Sequence, residues 1–159
     1  MSPFPPEQFE ILLPLACEWA EAEEQRILKT GVPLTDAFIS DARLMGVAEP
    51  HRVRLLHVRE IPGPTHPMLL AASEKAQLIS PFTAGLTLRY GIFIRADRRG
   101  ERDLVVHELG HTAQYERLGG FEPFLRQYLL ECFTIGYPQA PMEQEVIARS
   151  AEICGHAGR

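Results

Sequence analysis

The chain has 159 residues, the usual size of one domain, which is enough to bury a hydrophobic core without disulfides. Its net charge of −5 and the lack of a dense run of Lys or Arg argue against a nucleic-acid-binding protein and against binding to an anionic membrane. No stretch approaches the roughly eighteen consecutive apolar residues of a transmembrane helix, so no membrane span is expected.

The cysteines and the N-terminal residues indicate the cellular compartment. Three cysteines, an odd number at wide spacing, argue against a disulfide framework and favour a reducing environment. The first residues lack the cationic region that a secretory signal carries. We therefore expect a cytoplasmic protein that forms a single domain over residues 1–159.

Residues 1–46 are predicted to form a pair of helices. Apolar side chains recur at helical spacing from about Glu7, and Pro14 inside this pattern predicts a kink or a split. Thr35 or Asp36 can cap a second helix. We expect the pair to pack against the sheet that follows.

Residues 52–95 are predicted to form the sheet region. β-branched residues predict a strand over 52–61, and helical spacing predicts a short helix over 68–79. Apolar side chains then occupy every second position of 86–95, which predicts one long strand with a buried face. Its alternating apolar residues are Leu86, Leu88, Tyr90, Ile92 and Ile94.

The helix predicted over residues 101–118 carries His107, Glu108 and His111. Histidines four residues apart lie on one face of a helix, so both imidazoles can bind one metal ion while Glu108 points at a water held there. The neighbouring residues are uncharged, as a helix beneath a cleft requires. The competing interpretation, an amphipathic helix with two surface histidines, fits this pattern less well.

The C-terminal part, residues 121–154, is predicted to form two more helices. Gly136 and Pro141 bracket the loop between them, and the last helix presents Glu143 in its first turn. Helices that flank a short run of strands predict an α+β fold with a small twisted sheet.

The segment Val105–Ala113 resembles the His-Glu-x-x-His signature of the zincin metallopeptidases. Metzincins continue with Gly and a third His, three and six residues after the second histidine, where this chain has Gln114 and Arg117. The resemblance is therefore to the gluzincins, in which a glutamate on a later helix supplies the third ligand. It implies a minimal zincin-like core with N-terminal helices, an active-site helix and a C-terminal glutamate helix.

A second segment bears on the third ligand. Residues Tyr137–Val146 resemble the Glu-x-Glu-Ala segment of short bacterial gluzincin-like proteins of unassigned substrate, which implies Glu143 as the ligand beside the two histidines. Ile147 departs from the pattern, since many gluzincins have Asp at that position.

Two other glutamates stay open as the third ligand. Glu131 lies twenty residues after His111, which is the thermolysin-like spacing, and it falls on a predicted helix. Glu145 is the third candidate, after Glu143 and Glu131.

The resemblance implies a zinc-dependent metallopeptidase that hydrolyses a peptide or protein substrate. Two imidazoles and one carboxylate leave the fourth position of zinc open for a water, whose pKa falls to about 7 and whose proton Glu108 accepts. Such ligand sets also take cobalt, manganese or nickel. The alternative, from a different class, is a metal-binding regulatory or interaction domain with a zincin-like fold and little or no proteolytic activity.

Two features of substrate binding are expected from the same resemblance. Zincins typically run the edge strand of their sheet along the cleft, so the strand over 86–95 or its neighbour is expected to border the substrate. A side chain that stabilises the oxyanion is also expected. The sequence leaves six candidates for that role, which are Tyr90, Tyr115, Tyr128, Tyr137, His66 and Arg126.

Overall fold

The computed structural model describes residues 5–155 and confirms an α+β fold. Within that range the helices are α1 (Pro6–Thr30), α2 (Asp36–Leu44), α3 (Pro67–Lys75), α4 (Arg102–Leu118), α5 (Phe121–Thr134) and α6 (Pro141–Cys154). The strands are β1 (Val32–Pro33), β2 (Arg54–Val58), β3 (Gly85–Leu88) and β4 (Gly91–Arg95). None of the described helices combines the length and the apolar character needed to cross a bilayer.

Local capping signals set several helix ends where the sequence predicts them. The Thr35 hydroxyl accepts a hydrogen bond from the N–H of Phe38 at the start of α2. Gly119 ends α4 in the left-handed region with φ of 105°, a conformation that glycine adopts because it has no Cβ.

Two predicted elements are shorter than expected. The strand predicted over 52–61 is reduced to β2, because Pro50–Arg52 forms a short 3-10 turn. The helix predicted over 68–79 ends as α3 at Lys75, since Gln77 adopts a φ of 56° that an α-helix cannot contain.

Pro14 does not split the first helix, which is one of the two outcomes that the sequence predicts for it. It lies inside α1, a single helix from Pro6 to Thr30, on the solvent-exposed side. Proline inside a helix costs about 3 kcal/mol because it removes one hydrogen bond and crowds the preceding turn. Leu12 and Leu13 are buried beside it, and each such side chain stabilises the packed helix by about 1.5–3 kcal/mol. Packing therefore outweighs the local penalty.

The sheet is mixed and has the strand order β1-β2-β4-β3. β2 and β4 run parallel, whereas β1 and β3 pair antiparallel with their neighbours and lie at the two edges. β3 is thus an edge strand, and α4 packs beside it.

Two apolar clusters cover opposite faces of the sheet. α1 packs on the face that carries Leu88 and Phe93. α4 and α2 cover the other face, which carries Ile92 and Ile94. The two N-terminal helices therefore both pack against the sheet, as predicted, but on opposite faces of it.

The single strand predicted over 86–95 is also wrong, because the segment forms a β3–β4 hairpin that turns at Arg89 and Tyr90. Arg89 has φ of 61°, which is unusual for a residue with a side chain. The buried carboxylate of Glu24 accepts two hydrogen bonds from the Arg89 guanidinium, both 2.8 Å, and one of 3.0 Å from the N–H of Tyr90. The Thr112 hydroxyl donates to the Arg89 carbonyl. Contacts from α1 and α4 therefore set this turn.

The Glu24–Arg89 ion pair leads to a stability prediction. In Arg89→Gly the turn keeps its positive φ, but the fully buried Glu24 carboxylate loses its cation. We expect the free energy of unfolding in urea to fall by about 3 kcal/mol, as for other buried pairs that lose one partner.

Arg126→Ala is the matched control. Arg126 pairs with Glu10 and Glu122 at the surface, where all three side chains are about half exposed. Its loss should lower the free energy of unfolding far less than the loss of Arg89, because solvent screens exposed ion pairs. Equal losses in the two variants would contradict a special role for the buried pair.

Candidate metal centre

Three side chains with metal-ligand chemistry meet where α4 packs on α6. His107 and His111 project from α4, and Glu143 projects from the first turn of α6. One ligand atom from each lies within 4.8 Å of the others. His107 Nε2 is 2.6 Å from Glu143 Oε1, and His111 Nε2 is 3.1 Å from Glu143 Oε2. The structure therefore brings together the three residues that the resemblance implies as ligands.

Gly110 lets α6 approach α4 closely enough for this contact. A Cβ built at Gly110 would stand 2.8 Å from the Val146 side chain and 2.6 Å from that of Met45. Protein interiors have no spare space for such an atom, so any larger residue would push α6 away. The glycine between the two histidines therefore helps to place Glu143.

The donor set fits a catalytic type of zinc site. Three protein ligands of the imidazole and carboxylate type leave one of the four tetrahedral positions open. Zinc bonds of about 2.0–2.1 Å place neighbouring donors about 3.3 Å apart. The N–O separations of 2.6 and 3.1 Å at Glu143 lie within about an ångström of that value, and all three ligand atoms lie within 4.8 Å of one another.

Gln114 fixes the protonation of His111. Its amide nitrogen donates to the Met142 carbonyl at 2.9 Å and to Glu145 Oε1 at 2.7 Å, so its amide oxygen faces His111 Nδ1 at 2.8 Å. An oxygen can only accept, so this hydrogen bond places a proton on Nδ1 and makes Nε2, which faces Glu143, the nitrogen that would bind a metal once it is deprotonated. No motif in the sequence indicates this role for Gln114.

Glu143 is held as a carboxylate inside the protein. It is 2% exposed and accepts a hydrogen bond of 3.0 Å from the Tyr128 hydroxyl at Oε2. Burial raises the pKa of Glu143, but hydrogen bonds with His107 and His111 outweigh burial and bring the pKa well below its usual range. The residue is therefore ionised, as a metal ligand must be.

The other two glutamates have different partners. Glu131 accepts a hydrogen bond of 2.8 Å from the N–H of Met142, which connects α5 to the start of α6. Glu145 accepts from Gln114 and Arg117. Neither belongs to the group of ligand atoms around the histidines, which is the only such group among residues 5–155.

Glu108 lies beside the three candidate ligands without joining them. It is 6% exposed, and its Oε1 accepts a hydrogen bond of 2.7 Å from the Thr87 hydroxyl on β3. Gly85, on the same strand, has no Cβ, and one built there would stand 3.0 Å from the Glu108 carboxylate carbon. Thr87 and Gly85 carry no motif, so only their position in the folded hairpin reveals their contact with Glu108.

A cavity of about 690 Å³ opens onto these residues. His107, Glu108, His111 and Glu143 line one side of it, and β3 borders it. The expected position of an edge strand at the cleft thus applies to β3, the first half of the hairpin.

The structure separates the six candidates for oxyanion stabilisation. Tyr115, Tyr128 and Tyr137 line the cavity. Of the others, Tyr90 bonds to Glu116, His66 caps α3 and Arg126 pairs at the surface. Burial, together with the charges of Glu143 and Glu108, raises the pKa of Tyr137 to about 12, so its hydroxyl is protonated at neutral pH.

Comparison with known proteins identifies no relative: no protein-family model, curated protein or solved structure matches the chain. The geometry of the site is therefore the basis for assigning a function.

The hydrogen bond from His111 to Gln114 leads to a prediction about metal affinity. Gln114→Leu removes the acceptor that orients His111, and we expect zinc affinity to fall roughly 10- to 100-fold. Competition with a chromophoric chelator measures the dissociation constant.

Gln127→Leu is the matched control, because Gln127 is an exposed glutamine that donates only to Glu131 on α5. It should keep the wild-type affinity. Unchanged affinity in a folded Gln114→Leu protein would show that Gln114 does not position His111.

Proposed function

We propose that the protein is a zinc-dependent hydrolase of peptide bonds, with His107, His111 and Glu143 as the metal ligands and Glu108 as general base. The observation that carries the proposal is the placement of Glu108. It lines the same cavity as the three ligand side chains, and Thr87 anchors one of its oxygens. A site that only holds a metal has no need of a fourth, separately anchored carboxylate.

A zinc ion in this ligand set supplies Lewis-acid polarisation of a carbonyl and lowers the pKa of a water in the open position to about 7. The protein's own residues then move the protons. Glu108 accepts a proton from the attacking water as the water oxygen bonds to the carbonyl carbon. When the C–N bond breaks, Glu108 returns the proton to the leaving nitrogen, so the carboxylate is regenerated.

The hydrogen bond from Thr87 supports this role, because it gives the two carboxylate oxygens of Glu108 different functions. Oε1 accepts from the Thr87 hydroxyl, which leaves Oε2 to take the proton of the water. The anchored carboxylate loses rotational freedom before substrate binds, and such preorganisation lowers the barrier of a proton transfer.

The edge strand supports a peptide as substrate. Extended peptides bind to exposed sheet edges through main-chain hydrogen bonds. β3 lies at the edge of the sheet, and the same strand carries the Thr87 and Gly85 contacts with Glu108. A peptide that paired with β3 would therefore run past the general base.

Metal content tests the ligand set. Wild-type protein dialysed after exposure to zinc should retain about one ion per chain, because three ligands meet in one place. Glu143→Ala should lose it, whereas Glu131→Ala should retain it. Native mass spectrometry measures the occupancy. Wild-type protein that stays metal-free in the presence of zinc would refute the proposal.

The catalytic role of Glu108 is tested by Glu108→Gln. This variant keeps the three ligands, so we expect wild-type zinc content with kcat lowered at least about 100-fold against a quenched peptide library. Glu152→Gln, which alters an exposed carboxylate of α6, should keep full activity. A zinc-loaded wild-type protein without any turnover would favour a metal-binding regulatory or interaction domain instead.

A further inference from the structure

Much of the cavity lining is apolar, and this part of the lining is called the apolar end. Its walls come from three helices outside the motif, with Leu12 and Ala16 on α1, Leu69 and Ala72 on α3, and Leu125 and Leu129 on α5. All charged side chains that line the cavity come from α4, α6 and the 3-10 turn Ala96–Arg98. A substrate group that enters the apolar end therefore lies against uncharged side chains. Because burial of an unpaired charge is costly, this part of the cavity favours an uncharged group.

The cavity is too large for a single side chain. A cavity of about 150 Å³ is enough to hold one benzene molecule. The volume of about 690 Å³ therefore accommodates several bulky groups. Exposed apolar side chains line the same cavity: Phe82 is 86% exposed, Tyr137 43% and Ile147 39%. The site thus offers apolar contact over more than one residue of a substrate.

The pairing of β3 shows which part of a substrate reaches the apolar end. In an antiparallel pair of strands, hydrogen-bonded and non-hydrogen-bonded residue pairs alternate. The two-residue turn and the hydrogen bond from Arg95 N–H to the Ala84 carbonyl show that Ala84 and Arg95 are a hydrogen-bonded pair. Gly85 is the next residue and belongs to a non-hydrogen-bonded pair, so its main-chain N–H and C=O point away from β4, toward the free edge of the sheet. An extended peptide that pairs there would alternate its side chains between the α4 side, which holds Glu108, and the α1 side, which holds the apolar walls.

We propose that the site takes an extended polypeptide segment with bulky apolar side chains on alternate residues, which enter the cavity between α1, α3 and α5. This inference rests on the proposed function, since it describes the substrate of the same site. A fatty acyl chain would fill the apolar end but would leave the main-chain groups of Gly85 at the sheet edge without partners. The free edge and the apolar walls together favour the peptide.

Binding of two matched peptides to the zinc-loaded Glu108→Gln protein tests the inference. Both peptides have the same composition; one alternates Leu and Phe with Ser, and the other groups the apolar residues in one block. Fluorescence anisotropy should show at least about tenfold tighter binding of the alternating peptide, because burial of one additional bulky side chain gives that ratio.

A variant that fills the cavity provides a second test of the inference. Ala72 is 3% exposed, lines the cavity and lies on α3, which carries none of the candidate ligands, so Ala72→Phe should abolish the preference while zinc content stays unchanged. If that protein does not fold, the smaller change Ala16→Leu should weaken the preference in the same direction.

Three results would overturn the inference: equal binding of the two peptides, a preference that survives both cavity variants, or tighter binding of N-dodecanoylglycine than of the alternating peptide. Cleavage by the wild-type protein is scored separately. Selective binding without cleavage would uphold the inference and refute the hydrolase, whereas cleavage of both peptides at equal kcat/KM would uphold the hydrolase alone.

Discussion

Close packing of α6 on α4 at Gly110 is the contact on which the candidate site depends. The side chains of Val146 and Met45 fill the space that a Cβ at position 110 would take. This contact places the first turn of α6, and with it Glu143, against the two histidines. A metal site needs its donors fixed to within about half an ångström, and rigid helix packing provides such precision better than a loop does.

Buried polar groups around the site have hydrogen-bond partners within the protein. Thr87 holds Glu108, while Gln114 holds His111 from one side and Tyr128 holds Glu143 from the other. Burial of these groups would be costly without partners, because an unpaired polar group in the interior loses its hydration without compensation. With partners, the same groups are fixed in orientation. The protein interior therefore contains polar side chains that an ordinary apolar core would exclude, and their hydrogen bonds fix the orientation of the side chains at the site.

Short-range signals account for what the sequence predicted correctly. The helices carry their apolar faces, caps and terminal glycines within a few residues of one another, and His107 and His111 are one turn apart. Glu143 was implied by a resemblance to other sequences, and the structure brings it to the histidines. The hairpin was missed because Arg89 and Tyr90 have no local turn signal; Glu24, 65 residues from Arg89 in sequence, holds the turn. Gln114 and Thr87 were missed for the same reason, since their partners are set by tertiary packing.

The buried ion pair between Glu24 and Arg89 also joins α1 to the hairpin that contains β3. α1 forms part of the apolar wall of the cavity, and β3 forms its strand border. The ion pair therefore ties together two elements that border the cavity, α1 on one side and the β3 hairpin on the other, although neither Glu24 nor Arg89 lines the cavity itself.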